Sequence, residues 1–163
     1  MNSAVQMADW MRNAADRDAE PMSEESMKAL VVETSSTMRA VLRRILSMRG
    51  FEVLEAENGR QALSVLNSMG KADLVLVDWN LHEMNSLEFI THLRHETAHK
   101  SIVLMLTERE PGIREKQNAL IAGADDYLTK PFTSLQIDEK MAQAGLIWHG
   151  KVTVINNAFT ADN

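Results

Sequence analysis

The chain has no cysteine, no long apolar run and no excess of positive charge, and each absence excludes a class of function. Without cysteine it cannot form disulfides, use a thiolate nucleophile or build a cysteine-ligated zinc site. No apolar stretch approaches the roughly 20 residues that a membrane helix needs. The N-terminus also lacks the basic start and apolar centre of a secretory signal, so we expect a cytoplasmic protein that does not enter a membrane.

Charge and length narrow the possible classes of protein further. The sequence has 17 Lys and Arg residues against 23 Asp and Glu, for a net charge of −6, and contains no basic run. This balance argues against nucleic acid as a partner, because nonspecific binding to nucleic acid depends on positive charge. With 163 residues, of which 45% are hydrophobic, the chain can build one globular domain with short extensions.

The first 27 residues differ in composition from those that follow. Their second half is acidic and contains Pro21, which indicates a flexible leader. Their first half carries apolar residues at helical spacing, so a short helix is an alternative: Met7, Trp10, Met11 and Ala14. We divide the chain into an N-terminal extension (1–27), a domain (28–144) and a C-terminal extension (145–163). The last of these is either a hairpin or edge strand, or an irregular tail.

From Lys28 onward, strand-like and helix-like patterns alternate. Short apolar runs predict strands at residues 29–32, 51–56, 74–78, 102–107 and 126–129. A helical stripe follows each of them, and the fourth helix has Pro111 in its first turn. This alternation predicts an α/β fold, a doubly wound parallel sheet with helices on both faces.

Polar side chains stand at the carboxyl ends of four predicted strands. Glu33, Asp78 and Thr107 end or follow apolar runs, and Lys130 follows the fifth strand. Ligands bind beyond the carboxyl ends of the strands in such sheets, so these groups should meet at one rim. A lone buried carboxylate is unfavourable, so Asp78 should have a partner, a metal or a chemical role. Together these groups predict a phosphoryl site.

The sequence around these residues resembles the receiver domain of two-component response regulators, most of all the single-domain regulators of chemotaxis. The resemblance covers about residues 28–144. It rests on four stretches in order: VVETSSTMR at 31–39, LVDWN at 76–80, VLMLT at 103–107 and GADDYLTKPF at 123–132. Each is weakly specific alone, and all four in register are highly specific. The resemblance implies the flavodoxin-like receiver fold, with five strands in the order 2-1-3-4-5.

The resemblance also implies a role for each residue at the rim. Asp78 would accept a phosphoryl group from a sensor histidine kinase or a phosphotransfer protein. Lys130 would hold that group as a point charge, and Thr107 would donate its hydroxyl to a phosphoryl oxygen. Tyr127 would be the switch whose rotamer reports the change, and the bond between Lys130 and Pro131 would be cis.

The implied partners are the kinase and a downstream effector protein, with no nucleic acid and no membrane. The signalling face would be the fourth helix, the fifth strand and the fifth helix. Such a domain signals by its own phosphorylation and is not a turnover enzyme, and homodimerisation is left open.

Two places depart from the family pattern. The first strand ends in Glu33-Thr34, where the family usually has two acids, of which the second is normally the direct metal ligand. A Mg²⁺ site would retain Glu33, Asp78 and the Asn80 carbonyl, so we expect weak binding. In the loop at 81–86, histidine and serine replace the usual proline and glycine, which predicts a reshaped or looser loop.

Three functions therefore remain open on the sequence. The first is a working phospho-accepting receiver. The second is a pseudo-receiver, a phosphorylation-independent protein-interaction module, because Thr34 replaces an acidic ligand. The third is a small phosphatase of the haloacid dehalogenase type, which would need a second Asp where Asn80 stands.

Three histidines have the spacing of a helical metal site: His92, His95 and His99. An ordinary position near a helix end is the simpler interpretation, because imidazoles are favoured at the negative end of the helix dipole.

Overall fold

Strands and helices alternate from Lys28 to Gln143 in the computed structural model, which describes residues 26–110 and 112–146. The strands are β1 (Lys28–Val32), β2 (Glu52–Ala56), β3 (Leu74–Asp78), β4 (Val103–Glu108) and β5 (Asp126–Thr129). The helices are α1 (Ser36–Ser47), α2 (Gly59–Met69), α3 (Ser86–His95), α4 (Ile113–Ala122) and α5 (Ser134–Gln143), with a 3-10 turn at Thr97–His99.

The five strands form one parallel sheet in the order β2-β1-β3-β4-β5, which confirms the predicted fold. Parallel strands covered on both faces are apolar throughout, and all five residues of β3 are buried. The register pairs Val77 with both Val32 and Leu106, and Asp78 with Thr107. The carboxyl ends of β1, β3 and β4 therefore lie at one rim, and β5 joins them there beside β4.

Side-chain alternation along the strands divides the core into two clusters, one on each face of the sheet. The first contains Leu30 and Val32 of β1 and the buried residues of α2, α3 and α4. The second contains Ala29 and Val31 with the buried residues of α1 and α5. Each fully buried leucine or isoleucine contributes about 1.5–3 kcal/mol, so these clusters supply most of the force that holds helices to the sheet.

Side-chain caps fix the starts of four helices. Ser35, Asn58, Asn85 and Thr133 each accept a hydrogen bond from a backbone amide in the first turn. In α4 the prediction for Pro111 is wrong, because the helix begins at Ile113. Gly112 takes the N-cap position in an extended conformation, with φ −64° and ψ 164°. Pro111 itself lies outside the described residues.

The chain ends are only partly described. Met27 and Leu146, which the sequence assigns to the two extensions, pack against the second core cluster. The predicted helix in the first 25 residues and the predicted hairpin beyond residue 146 lie outside the described residues. The division at 27 and 145 stays a prediction. Within the described part of the chain, no helix is long and apolar enough to cross a bilayer.

Candidate functional site

Lys130 joins the two buried carboxylates at the rim of the sheet. Its Nζ donates to Asp78 Oδ1 at 3.0 Å and to Glu33 Oε2 at 2.8 Å. Glu33 and Asp78 are only 3% and 6% exposed, so both acids are removed from most of the solvent. The partner expected for the buried Asp78 is therefore Lys130. It is distant in sequence, but it reaches the same rim because β5 pairs with β4 and β4 pairs with β3.

Hydrogen bonds on both sides hold the triad of Lys130, Asp78 and Glu33 in place. Lys130 directly follows β5, and its amide donates to the Glu108 carbonyl at 2.6 Å. The peptide bond from Lys130 to Pro131 is cis, as the resemblance implied. On the β1 side, the Arg39 guanidinium donates to the Glu33 carbonyl at 2.7 Å and to the Thr34 carbonyl at 3.1 Å. The Arg39 contacts fix the turn after β1 that carries Glu33.

Opposing influences act on the Lys130 ammonium. Burial, the largest of them, lowers its pKa, but the hydrogen bonds and charges of Glu33 and Asp78 together outweigh burial and leave the pKa raised. Lys130 is therefore a permanent cation in the site, and one positive charge faces two carboxylates.

Thr107 lies beside this triad, and Tyr127 does not. Thr107 pairs with Asp78 across the strands, and its buried hydroxyl makes a long hydrogen bond of 3.4 Å to the Val77 carbonyl. A hydroxyl held this weakly can turn towards a new acceptor. Tyr127 packs against the first core cluster, with Lys116 Nζ of α4 at 4.4 Å and Lys140 Nζ of α5 at 5.2 Å from its ring centre.

The predicted metal ligands already make protein contacts. Glu33 Oε1 accepts from the Ser35 amide at 3.0 Å, and the Asn80 carbonyl accepts from the Thr34 hydroxyl at 3.3 Å. The donors at this rim are carboxylate, carbonyl and hydroxyl oxygens, which are the ligands that a hard cation such as Mg²⁺ prefers. The residues present therefore fit Mg²⁺ in their chemistry, with one carboxylate fewer because Thr34 is not acidic.

A further acid, Glu108, lies at the same rim and was missed by the sequence analysis. Its Oε1 accepts from the Asn80 side-chain amide at 3.4 Å. Its Oε2 is buried and has no hydrogen-bond partner among residues 26–110 and 112–146. Burial raises the pKa of Glu108, and the negative charge of Asp78 raises it further. The Arg109 amide, the Asn80 amide and Lys130 oppose this shift only in part. The sequence does show an acid directly after Thr107. It was not assigned to the rim because the strand was predicted to end one residue too early, at Thr107.

The loop after Asp78 is held by hydrogen bonds near both of its ends, and the expectation of a reshaped or looser loop stays a prediction. Glu83 in this loop takes the left-handed region, with φ 67°. Ser86 begins α3, is buried, and donates its hydroxyl to the Trp79 carbonyl at 3.0 Å. The serine that replaces the usual glycine thus ties the loop to the end of β3.

The three histidines do not form a metal centre in the structure. His92 and His95 lie in the last turn of α3, and His99 is buried in the 3-10 turn. Across the described ranges, no three His, Cys, Asp or Glu residues are grouped closely enough to hold a metal ion. Mg²⁺ at the rim would therefore have to use carbonyl or hydroxyl oxygens or water as well.

Comparison with known proteins places this geometry in a family. Residues 29–142 match the model of the response regulator receiver domain. The chemotaxis protein CheY1 of Helicobacter pylori is 40% identical over 116 residues, which are 71% of this chain and 94% of that protein. A CheY homolog of Campylobacter jejuni is 38% identical over 116 residues, covering 71% of this chain and 89% of its own.

Solved structures agree in fold. CheY4 of Vibrio cholerae superposes with a TM-score of 0.69 at 26% identity, covering 73% of this chain and 98% of that structure. The receiver domain of the sensor histidine kinase PA1611 of Pseudomonas aeruginosa, with magnesium coordinated in its active site cleft, gives a TM-score of 0.66 at 21% identity. The match covers 74% of this chain and 98% of that domain, and it supports the fold alone.

Proposed function

The chain belongs to the response regulator receiver family, and we propose that it accepts a phosphoryl group on Asp78 from a sensor histidine kinase or phosphotransfer protein. Receiver domains are signalling domains rather than turnover enzymes. The observation that carries the proposal is the buried pair of Asp78 and Lys130, joined at 3.0 Å beside Thr107.

The reaction would be an in-line transfer from a phosphohistidine. Lys130 holds Asp78 Oδ1, so Oδ2 is the oxygen available as nucleophile. Oδ2 attacks phosphorus, the P–N bond to the histidine breaks, and the imidazole leaves with the bonding electron pair. The product is an acyl phosphate on Asp78 whose oxygens lie within reach of the Lys130 ammonium and the Thr107 hydroxyl.

Each neighbouring side chain has a separate task in this proposal. Lys130 stabilises the added negative charge by exchanging its Glu33 contact for a phosphoryl oxygen. Thr107 exchanges its long bond to the Val77 carbonyl for a bond to another phosphoryl oxygen. Mg²⁺, when bound, would neutralise phosphoryl charge. Glu33, Asp78 and the Asn80 carbonyl would hold it.

The effector would bind the surface formed by α4, β5 and α5. Apolar side chains of this surface are exposed, with Ile113 and Ile121 of α4 at 80% and 84% and Leu135 of α5 at 63%. Tyr127 of β5 lies between the two helices, next to Lys116 and Lys140. A change in its ring position would alter both helices together, which supports a switch role.

A second candidate, the pseudo-receiver, is favoured by one observation. The Thr34 hydroxyl already occupies the Asn80 carbonyl, and Lys130 already satisfies both acids. Such a rim needs no cation to be stable. The protein would then bind its partners through the same surface without phosphorylation of Asp78.

Phosphorylation with acetyl phosphate separates the two candidates. Replacing Trp10 and Trp148 by Phe leaves Trp79, next to Asp78, as the single tryptophan reporter. We expect Mg²⁺ and then acetyl phosphate to change its fluorescence, and mass spectrometry to find one phosphoryl group on Asp78 that is labile to acid and to base, as an acyl phosphate is. Asp78→Asn is the control and should not respond.

The missing acid provides a second arm of the experiment. Thr34→Asp should increase Mg²⁺ affinity about tenfold or more and speed phosphorylation, because it restores a direct carboxylate ligand. If neither the wild type nor Thr34→Asp gains a phosphoryl group, the phospho-acceptor proposal is wrong and the pseudo-receiver function takes its place.

A further inference from the structure

Helix α1 is the most basic of the five helices, although the whole chain has a net charge of −6. Its 12 residues include three arginines and no acid. The Arg43 side chain is 63% exposed, and its contact with Glu55 is 3.9 Å long. Arg44 is exposed as well, and it forms no ion pair with residues 26–110 or 112–146. The outer face of α1 therefore presents positive charge that the described part of the chain leaves largely unbalanced.

This charge lines an open groove beside α1, with a volume of about 370 Å³. The lining spans residues 36–47, the whole length of the helix, and includes Arg39, Arg43 and Arg44. Glu55 of β2, the edge strand of the sheet, is the one acid among the lining residues that the structure describes. An extended acidic segment would match both the length and the charge of this surface, the α1 groove.

Acids that could balance the α1 groove stand in the chain just before the domain. Residues 16–25, the acidic segment, contain five acids and one basic residue, which are Asp16, Asp18, Glu20, Glu24, Glu25 and Arg17. The acidic segment lies outside the described residues, and its composition predicts a flexible leader. Its acids repel one another, so a basic surface within reach is a favourable place for them.

The chain enters the domain beside the end of α1. The Met27 carbonyl accepts from the Glu52 amide at 2.8 Å, and the preceding amide, that of Phe51, donates to the Leu46 carbonyl in the last turn of α1 at 3.2 Å. Ten extended residues span about 33 Å. The 12 residues of α1 span about 18 Å. The acidic segment is therefore long enough to follow the α1 groove from one end to the other.

We propose that the acidic segment binds the α1 groove of its own chain and closes this surface to other acidic partners. Exposed ion pairs are weak one by one. A short tether gives the segment an effective concentration of about millimolar at the groove, so several weak pairs are enough to hold it. The inference goes beyond the proposed function and does not depend on phosphorylation of Asp78.

A nitroxide spin label on the full chain tests the contact. Because the chain has no cysteine, Ala19→Cys provides a single labelling position and keeps all five acids of the segment. We expect the amide signals of α1 to lose intensity in nuclear magnetic resonance spectra. The signals of α4, which packs on the other face of the sheet, should keep their intensity.

Substitution of the exposed arginines separates binding from mere proximity of the tether. Arg43→Gln together with Arg44→Gln should return most of the lost intensity to α1. Lys100→Gln together with Arg114→Gln is the matched control, because it removes the same charge from exposed positions outside α1 and should change nothing. At about 1 M salt, where the screening length is about 3 Å, the wild type should also regain the signals of α1.

A charge exchange tests complementarity directly. Arg43→Glu with Arg44→Glu should abolish the contact, and so should Asp18→Lys with Glu20→Lys. The two pairs combined in one chain should restore the loss of intensity in α1. Thermal unfolding verifies that each variant is folded, as expected for exposed positions of α1.

Three results would overturn the inference. The signals of α1 could lose no more intensity than those of α4, or the loss could persist in Arg43→Gln with Arg44→Gln. The third is a loss that arises between chains, in a mixture of spin-labelled chains and isotope-labelled chains without the spin label, because a second copy would then occupy the groove. None of these results bears on the phosphorylation of Asp78, so the proposed function would stand.

Discussion

At the scale of single residues, Lys130 is the one cation bonded to the two most buried acids of the rim, within the part of the chain that the structure describes. Its side chain is 12% exposed, and both acids are more deeply buried still. A buried ion pair adds little net stability relative to an apolar replacement, but removal of one partner leaves an uncompensated charge. Lys130 therefore matters to the fold as well as to the proposed phosphoryl chemistry.

Lys130→Met should destabilise the protein by about 3 kcal/mol, because it leaves Glu33 and Asp78 buried without a cation. Urea denaturation monitored by circular dichroism measures this loss. Asp78→Asn in the Lys130→Met background should recover part of it, since only one bare carboxylate then remains.

An exposed lysine provides the control for Lys130. Lys71, with a side chain 77% exposed and 3.9 Å from Asp73, should change stability by less than about 0.5 kcal/mol when replaced by Met. Equal effects at Lys71 and Lys130 would show that the buried contacts of Lys130 do not hold the rim together.

Glu83 is the one non-glycine residue with positive φ among the described residues, at 67°. A left-handed conformation costs a residue with a Cβ about 1–2 kcal/mol, and glycine avoids this cost at a smaller loss of chain entropy. Glu83→Gly should therefore stabilise the protein by about 0.5–1 kcal/mol in urea denaturation. Glu83→Ala, which keeps the Cβ, should leave stability nearly unchanged, and a gain as large as that of glycine would contradict the strain argument.

At the scale of elements, apolar patterning predicts strands well where both ends carry a clear signal. β3 and β5 have the predicted bounds, because an apolar run ends in a charged or turn residue. β4 extends one residue further, to Glu108, because the parallel ladder continues when an acid replaces an apolar residue at the rim: Glu108 still pairs with Thr129. Because the predicted strand ended at Thr107, Glu108 was not included in the predicted site.

The site itself was predictable to the extent that sheet order determines it. Asp78, Lys130 and Thr107 were placed together because parallel strands end at one edge, and their contacts agree. The Thr34 bond to the Asn80 carbonyl was not predictable, and neither was the buried oxygen of Glu108 that has no partner among the described residues. They depend on side-chain rotamers and on the path of the loop after β3, which apolar periodicity does not encode.

Arg94 joins three elements at the opposite end of the sheet. Its guanidinium donates to four backbone carbonyls and one carboxylate: those of Gly123, His99, Lys100, Ile102 and Asp125. This contact set links the end of α3 to the turn before β4 and to the turn after α4. A planar group with five donors can satisfy such an arrangement, and an ammonium cannot.

Arg94→Lys should destabilise the protein by about 2–3 kcal/mol, because several partly buried carbonyls lose their donor at once. Thermal and urea unfolding measure this effect. Arg43→Lys is the control, since the Arg43 side chain is 63% exposed and its contact with Glu55 is 3.9 Å, and it should change stability by less than about 0.5 kcal/mol. A loss below about 0.5 kcal/mol at Arg94 would mean that water replaces its hydrogen bonds without penalty.

At the scale of the whole molecule, the rim connects the two cores. It receives side chains from β1, β3 and β4 and from the residue after β5, and each of these strands contributes to both core clusters or lies between them. The site is therefore built by four of the five strands of one sheet. A ligand that binds there contacts residues carried by several strands of the sheet, so its binding should raise the free energy of global unfolding and not only protect a local loop.

Fluoroberyllate, which bonds to a carboxylate oxygen and mimics a phosphoryl group, allows this coupling to be measured. A ligand that binds only the folded state at 100 times its dissociation constant adds about 2.7 kcal/mol to the free energy of unfolding. With saturating Mg²⁺ and fluoroberyllate, we expect the urea midpoint of the wild type to rise by this order, with the slope unchanged because the same surface is exposed. Asp78→Asn should show no rise, since it offers no nucleophilic carboxylate. If the urea midpoint of the wild type rises no more than that of Asp78→Asn, the phospho-acceptor proposal is wrong. The pseudo-receiver then takes its place, in which Lys130 already satisfies the two acids of the rim.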